Sequence, residues 1–304
     1  MYTNEWLTNG VFPAIVTPFD ADEQIDHEAL AAEAQRLEAA GVDGLVPVGS
    51  TGESATLTHD EHVEVVETVI DAIDNVPVIA GTGSNNTAEA LELSHQAADA
   101  GADALLLIAP YYNNPEPAGF KTHYERVADA VDCPQILYNV PSRTGRNMDP
   151  DVTVELAQHE RIIAYKAASG DLGQISEIIE RTQDAEFAVM SGDDALTLPI
   201  ISLGGTGAIS VAANVVPELV SHQVAAALSD DFETARELQY ELGPLYRGLF
   251  VETNPIPVKE ALAMQGYCQP YLRSPLTRLS AEHRPRLREI LQALHGVTVE
   301  AEPV

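Results

Sequence analysis

Eight short apolar runs recur along the chain, each followed by a longer stretch of mixed polarity. They are FPAIVTPF (12–19), GLVPVGST (44–51), PVIAGTG (77–83), ALLLIAPYY (104–112), QILYNVPS (135–142), IIAYKAAS (162–169), FAVMSGDD (187–194) and GAISVAAN (207–214). Nearly uninterrupted apolar runs of this length read as strands of a parallel sheet covered on both faces. Between them, segments such as HEALAAEAQRLEAAG (27–41) and TAEALELSHQAADAG (87–101) carry apolar residues at three- and four-residue spacing. Each closes on Gly, a helix stop. Strand–helix alternation repeated eight times predicts an α/β fold, a closed (β/α)8 TIM barrel, over residues 1–225. An open doubly wound sheet is the alternative, but no GxGxxG follows the first run. Beyond the barrel, FETARELQYELGPLYRGLF (232–250), PVKEALAMQG (257–266) and AEHRPRLREILQALHG (281–296) read as helices. They predict a helical C-terminal extension over 226–304, ending in a loosely held tail, VTVEAEPV (297–304).

Charge narrows the partners. The chain has 304 residues, 47 of them acidic and 16 basic, for a formal net charge of −31. Such a surface is a poor match for nucleic acid or an anionic membrane, since phosphate binding needs clustered Lys and Arg. The acid is spread along the chain rather than gathered in a tail. Only three of the basic residues are lysines: Lys121, Lys166 and Lys259. A surface of carboxylates with almost no lysine is the composition expected of a protein kept soluble in concentrated salt; an ordinary acidic cytosolic enzyme is the alternative. Two cysteines, Cys133 and Cys268, do not make a disulfide framework in a chain this long. MYTNEWLTNG has neither a positive n-region nor an apolar h-region, and no apolar run reaches the ~18–20 residues of a membrane span. A cytoplasmic protein is expected.

Active sites of (β/α)8 barrels lie at the C-terminal ends of the strands. The residues there are Ser50, Thr51 and Glu53, then Tyr111 and Tyr112, then Tyr138, Asn139, Ser142 and Arg143. Lys166 follows, then Asp193 and Asp194, then Ile209 and Ser210. No His/Cys cluster is present to hold a transition metal. SGDD (191–194) reads as a helix N-cap rather than a Mg²⁺ site. Lys166 is the residue that stands out, because it sits in an otherwise apolar strand of a chain that has almost abandoned lysine. A desolvated lysine loses its ammonium form and becomes a nucleophile that forms a Schiff base with carbonyls. The competing reading is a lysine paired with a buried carboxylate, and the adjacent YKAASGD offers none before Asp171, which begins the next helix. Tyr138 can carry protons for such chemistry, and Arg143 can hold a carboxylate through two parallel hydrogen bonds. GSTGES (49–54) is a Gly-flanked turn whose N–H groups and hydroxyls suit a carboxylate or phosphate, or an ordinary helix cap.

Taken in order, GSTGESATL (49–57), AGTGSNNTAEA (80–90), PYYNNP (110–115), YNVPSRTG (138–145), IIAYKAASGD (162–171), SGDD (191–194), GGTGAISV (204–211) and ETNPIPVKEAL (252–262) resemble the dihydrodipicolinate synthase / N-acetylneuraminate lyase family of pyruvate-dependent class I aldolases. The pieces cover about residues 11 to 265. YNVPSRTG and NPIPVK resemble the synthase branch, where an Arg stands in the loop that sugar-acid aldolases usually leave without one. The resemblance implies that Lys166 forms a Schiff base with pyruvate and that the resulting enamine attacks L-aspartate-4-semialdehyde. It implies Tyr138 as proton carrier, with Ser50 and Tyr112 completing a hydroxyl relay, Tyr112 from a neighbouring subunit. Thr51 and the Ile209 backbone would hold pyruvate, and Arg143 the semialdehyde carboxylate. No cofactor is implied, because the lysine is itself the electron sink. A homotetramer, a dimer of dimers, is implied. An L-lysine effector site is implied at His59, His62, Asn85, Glu89 and Tyr111; a capped surface helix beginning at Thr58 is the plainer reading of THDEH. Two positions depart from the branch: Ser50 stands where Thr is usual, and Ala167 where Glu usually follows the lysine. The remaining alternatives are a 2-keto-3-deoxy-sugar-acid aldolase and a non-catalytic sensor of pyruvate or lysine.

Overall fold

The apolar runs form strands because each is covered by helices outside and by its neighbours' side chains within. The computed structural model describes residues 4–300. Seven strands are β1 (Gly10–Pro13), β2 (Ile79–Gly81), β3 (Ala104–Ile108), β4 (Gln135–Asn139), β5 (Ile162–Ala167), β6 (Ala188–Ser191) and β7 (Gly207–Ser210). All pair in parallel, in the order β1-β7-β6-β5-β4-β3-β2.

The second apolar run fills the gap between β1 and β2 without forming a regular ladder. Val46 N–H donates to the Pro13 carbonyl at 2.9 Å, and Leu45 N–H to the Pro77 carbonyl at 2.9 Å. These bonds accompany single parallel bridges, Ala14↔Val46 and Leu45↔Val78. Eight runs therefore close the barrel, as expected, and the second joins both neighbours through these short bridges. Pro47 has no N–H to donate, and Val48 turns to φ 50°, so the pairing ends where the Pro47 carbonyl accepts from Gly81 N–H at 3.1 Å.

Alternation along the strands sorts the core. Phe12, Ile79, Leu106, Ile136, Ala164, Met190 and Ile209 pack together inside the barrel. Leu105, Leu107, Leu137, Tyr165 and Val189 belong to the layer beneath the helices. One irregularity decides what faces the interior. Gln135 pairs with Ile162, but Ile136 pairs with Ala164, so the β4–β5 register slips by one residue. Carried forward without the slip, Tyr138 would sit beside Tyr165; with it, Tyr138 sits beside Lys166.

The helices follow the spacing. His27–Ala39 is capped by Asp26, and Thr87–Ala100 by Asn86, with Gly101 at φ 103° ending the latter. The extension holds helices Phe232–Gly248, Ile256–Met264 and Arg284–Ala293. They share one apolar cluster with Val11, Leu198, Val216 and Val220 of the barrel. The division drawn at residue 225 falls inside the helix Pro217–Leu228. Of the tail, Glu300 N–H donates to the Met264 carbonyl at 2.8 Å, and 301–304 lie outside the described residues. Among the described residues no helix is long and apolar enough to cross a membrane.

Candidate active site

Lys166 lies inside the barrel, 6 % exposed, with its Nζ 4.1 Å from the centroid of the Tyr138 ring. Burial takes its amine down from the ordinary lysine value to about 7; nearby Asp194 opposes that fall and Arg143 adds to it. Room for the side chain depends on Gly192. A Cβ there would come within 2.9 Å of both Lys166 Cγ and Cε.

Burial pushes the Tyr138 phenol up, while the Arg143 charge and a hydrogen bond with the Ser50 side chain pull it back. Arg143 sits on the short helix Pro141–Thr144 that follows β4 and donates to the Asn254 carbonyl at 2.7 Å. Asn254 also donates through Nδ2 to Thr51 Oγ1 at 2.9 Å. One asparagine thus ties the arginine loop to the GSTGES turn. Ser50, Tyr138, Arg143 and Asn254 line a single cavity of about 420 Å³ with His59, His62, Glu89 and Tyr111.

The expected residues divide into those brought together and those kept apart. Lys166, Tyr138, Ser50, Thr51 and Arg143 converge. Ile209 is buried in β7, two strands from Lys166 in the sheet order. Tyr112 does not join Ser50 and Tyr138 within this chain: it is 86 % exposed, at φ 65°. Of the effector residues, Asn85 stands outside the cavity wall, its carbonyl accepting from Asn113 Nδ2 at 2.7 Å. Glu89 accepts from Ser84 Oγ and lies 3.5 Å from His59 Nε2. His62 Nε2 donates to the Gly81 carbonyl at 2.8 Å, so its Nδ1 is the unprotonated nitrogen, and it is buried without a partner. Burial holds this imidazole down at about 4. Thr58 does cap the helix His59–Ala72, in a reciprocal box with Glu61. The capping reading of THDEH therefore holds, and it leaves His59 and His62 on the cavity wall.

The capping reading of SGDD needs correcting for one of its two acids. Asp193 caps a short turn, accepting from Ala195 N at 3.0 Å. Asp194 is buried instead, accepting from Ser210 Oγ, from Val211 N at 3.1 Å and from Ala212 N at 2.9 Å. It supplies the buried carboxylate that the residues next to Lys166 lack. Asn254 also went unread in the sequence; its signal is a polar residue before Pro in an apolar stretch, TNPIPV (253–258). Both departures are accommodated locally. Ser50 keeps its bond to Tyr138, and Ala167 is buried in β5 with its carbonyl accepting from Gly192 N at 2.8 Å. Among the described residues no group of three or more His, Cys, Asp or Glu is arranged to hold a metal ion.

Residues 7–294 match the model of the dihydrodipicolinate synthetase family. A 4-hydroxy-tetrahydrodipicolinate synthase of Haloarcula marismortui is 67% identical over 294 residues, 97% of this chain and 96% of that one. Among solved structures, the dihydrodipicolinate synthase of Acinetobacter baumannii complexed with pyruvate superposes with a TM-score of 0.93 at 40% identity, covering 96% of this chain and 100% of that one. The enzyme of Cyanidioschyzon merolae with lysine bound gives 0.91 at 38% identity, over 94% and 98% of the two chains.

Proposed function

The chain belongs to the dihydrodipicolinate synthetase family, and on that premise we propose that it condenses pyruvate with L-aspartate-4-semialdehyde through a Schiff base on Lys166. The product is 4-hydroxy-tetrahydrodipicolinate, in the route to diaminopimelate and lysine. The observation that carries this reading is a lysine amine buried inside the barrel, 4.1 Å from the ring of a buried tyrosine in direct register with it.

Burial favours the neutral form of such an amine near neutral pH, against a very small neutral fraction of an ordinary lysine. The neutral amine attacks the keto carbon of pyruvate, and the carbinolamine loses water to give the iminium. Loss of a methyl proton gives the enamine, whose carbon bonds to the aldehyde carbon while the aldehyde oxygen takes up a proton. The amine of the adduct then attacks the imine carbon, closing the ring and releasing Lys166. Tyr138 relays the protons, and Ser50 is its hydrogen-bond partner on this chain. Asp194 provides the negative charge that the iminium needs in a dry site. Thr51 and the backbone of Ile209 hold the pyruvate carboxylate. Arg143, steadied by Asn254, holds the carboxylate of the semialdehyde. That arginine favours the semialdehyde over sugar acids, which present hydroxyls instead.

Tyr112 completes the relay in a neighbouring subunit, which makes a dimer the smallest active unit and a dimer of dimers the assembly. Its outward-turned, exposed ring supports this. L-lysine binds where His59, His62, Glu89 and Tyr111 line the cavity, with its ammonium groups meeting Glu89 and the unpartnered His62 Nδ1. The protein works in the cytoplasm, and its two free cysteines suit a reducing compartment.

Two assays in molar KCl test the reaction. One follows pyruvate with aspartate semialdehyde, the other pyruvate release from 2-keto-3-deoxygluconate. Fast condensation with little cleavage is expected, as is covalent trapping of pyruvate on Lys166 by borohydride. Fast cleavage instead would move the substrate to sugar acids. Absence of trapping would leave a binding protein. Inhibition by L-lysine in the tens of millimolar is expected, and unchanged activity there would remove the effector.

A further inference from the structure

Two of the three lysines lie inside the protein, and the reaction uses one of them. The other, Lys259, lies on the helix Ile256–Met264 with no exposed surface. Its Nζ is 2.5 Å from Glu53 Oε1, donates to the Tyr271 carbonyl at 2.8 Å, and stands 4.1 Å from the centroid of the Phe19 ring. Glu53 Oε2 accepts from the Arg273 backbone N–H at 3.1 Å, and the Arg273 guanidinium lies over the same Phe19 ring at 4.6 Å. Two separate stretches of chain therefore meet the one acid of GSTGES, and both of their cations lie over Phe19.

Glu53 is itself in the left-handed region, at φ 55°, where a residue with a side chain does not rest by its own preference. The surroundings must hold it. A buried ion pair is a weak source of stability, because desolvating two charges offsets their attraction. Burial pushes Glu53 up and Lys259 down, and each opposes the shift of the other. A pair kept on those terms fixes geometry. What it fixes is close at hand. Glu53 N–H donates to the Ser50 carbonyl at 3.3 Å, and Ser54 N–H to the Gly49 carbonyl at 3.3 Å, so the carboxylate anchors the turn that presents Ser50 and Thr51. Lys259 anchors the other side. Its helix is entered through Asn254, which bonds both Thr51 and Arg143.

We propose that Lys259 is a positioning residue: through Glu53 it holds the turn 49–54 so that Ser50 reaches Tyr138 and Thr51 reaches the keto acid. This rests on the roles of Ser50 and Thr51 given above. Arginine cannot replace it, because a planar fork of five donors would meet one carboxylate oxygen, one carbonyl and one ring face in a space with no exposure. A second lysine thus survives in a chain that discards lysine from its surface.

The test uses S50A, E53Q/K259M and the triple variant S50A/E53Q/K259M, all in molar KCl. The double variant leaves no unpaired buried charge. It is expected to melt cooperatively and to trap pyruvate on Lys166 with borohydride, with kcat lower by about 10²-fold and the pyruvate KM raised. Adding S50A should cost little more, because Ser50 has already left its bond with Tyr138. Parent kcat in E53Q/K259M would overturn the proposal, as would a loss that multiplies with that of S50A. A double variant that no longer melts cooperatively would assign the pair to stability and overturn it too. S50A at the parent rate would strike the role of Ser50 itself, not the ion pair, and with it the route proposed here.

Discussion

At the scale of single residues, Lys166 is set by what surrounds its amine, and two neighbours make that testable. Asp194 holds the Lys166 pKa above where burial alone would leave it. Asp194→Asn keeps the shape, and the Ser210 hydroxyl can turn to accept from the new amide. Removing the charge favours the neutral amine, so the pH at which borohydride trapping reaches half its maximum should fall below about 7. A pH midpoint that stays put or rises would mean that Asp194 does not act on the amine. Gly192→Ala places a Cβ against the lysine stem. Trapping should slow by about 10²-fold while the melting temperature changes little. Lys166 was legible in the sequence because a lone lysine in an apolar strand has few structural excuses. Asp194 was not, because two acids after Ser-Gly have the local form of a cap, and only the fold brings Val211 and Ala212 to the second of them.

At the scale of elements, the eightfold alternation was readable because apolar periodicity is local. The one-residue slip between β4 and β5 was not, since either register satisfies the pattern of each strand alone; only packing inside the barrel chooses between them. The break of the second run at Pro47 and Val48 was foreshadowed by the proline but not by the turn it permits. Clamping of the site turn to the extension is likewise tertiary. Arg273 grips Glu61 through two bonds of 2.8 and 2.6 Å and also donates to the carbonyls of Thr56 and Glu23. Arg273→Ala should lower stability by about 2–3 kcal/mol in guanidinium titrations at fixed KCl. The helices also carry an acid sensitivity. His62 and His123 are both held at about 4 by burial, below the 6.5 of an exposed histidine. The unfolded chain therefore binds protons that the folded chain refuses between those values. Their contribution is complete above about pH 6.5 and is lost as pH falls towards 4, by about 2 kcal/mol each between pH 7 and 5. His123→Gln should flatten the pH dependence of the denaturation midpoint in that window; an unchanged slope would rule His123 out.

At the scale of the whole molecule, charge and assembly set the working conditions. A net charge of −31 repels itself, and the repulsion reaches about 10 Å in 0.1 M salt against about 3 Å at 1 M. The buried Lys259–Glu53 pair feels none of that screening, so salt acts on the surface and leaves the site's anchor alone. The melting temperature should rise with KCl into the molar range, and indifference to KCl would refute the salt adaptation. Assembly can be tested through the one relay residue that this chain turns away from its own site. If Tyr112 serves a neighbouring subunit, K166A supplies a tyrosine to its partner but has no nucleophile, while Y112F has a nucleophile but supplies no tyrosine. In a mixed dimer the Lys166 of the Y112F protomer meets the Tyr112 of the K166A protomer, and one of the two sites is whole. Co-expressed in equal amounts, half the dimers are mixed, so about a quarter of the parent kcat should return. If Tyr112 served its own site, every protomer would lack either its lysine or its tyrosine, and the mixture would show only the mean of the two variants. The same comparison made after diluting the protein until subunits separate should abolish the rescue, because the complementation lives in the contact and not in either chain.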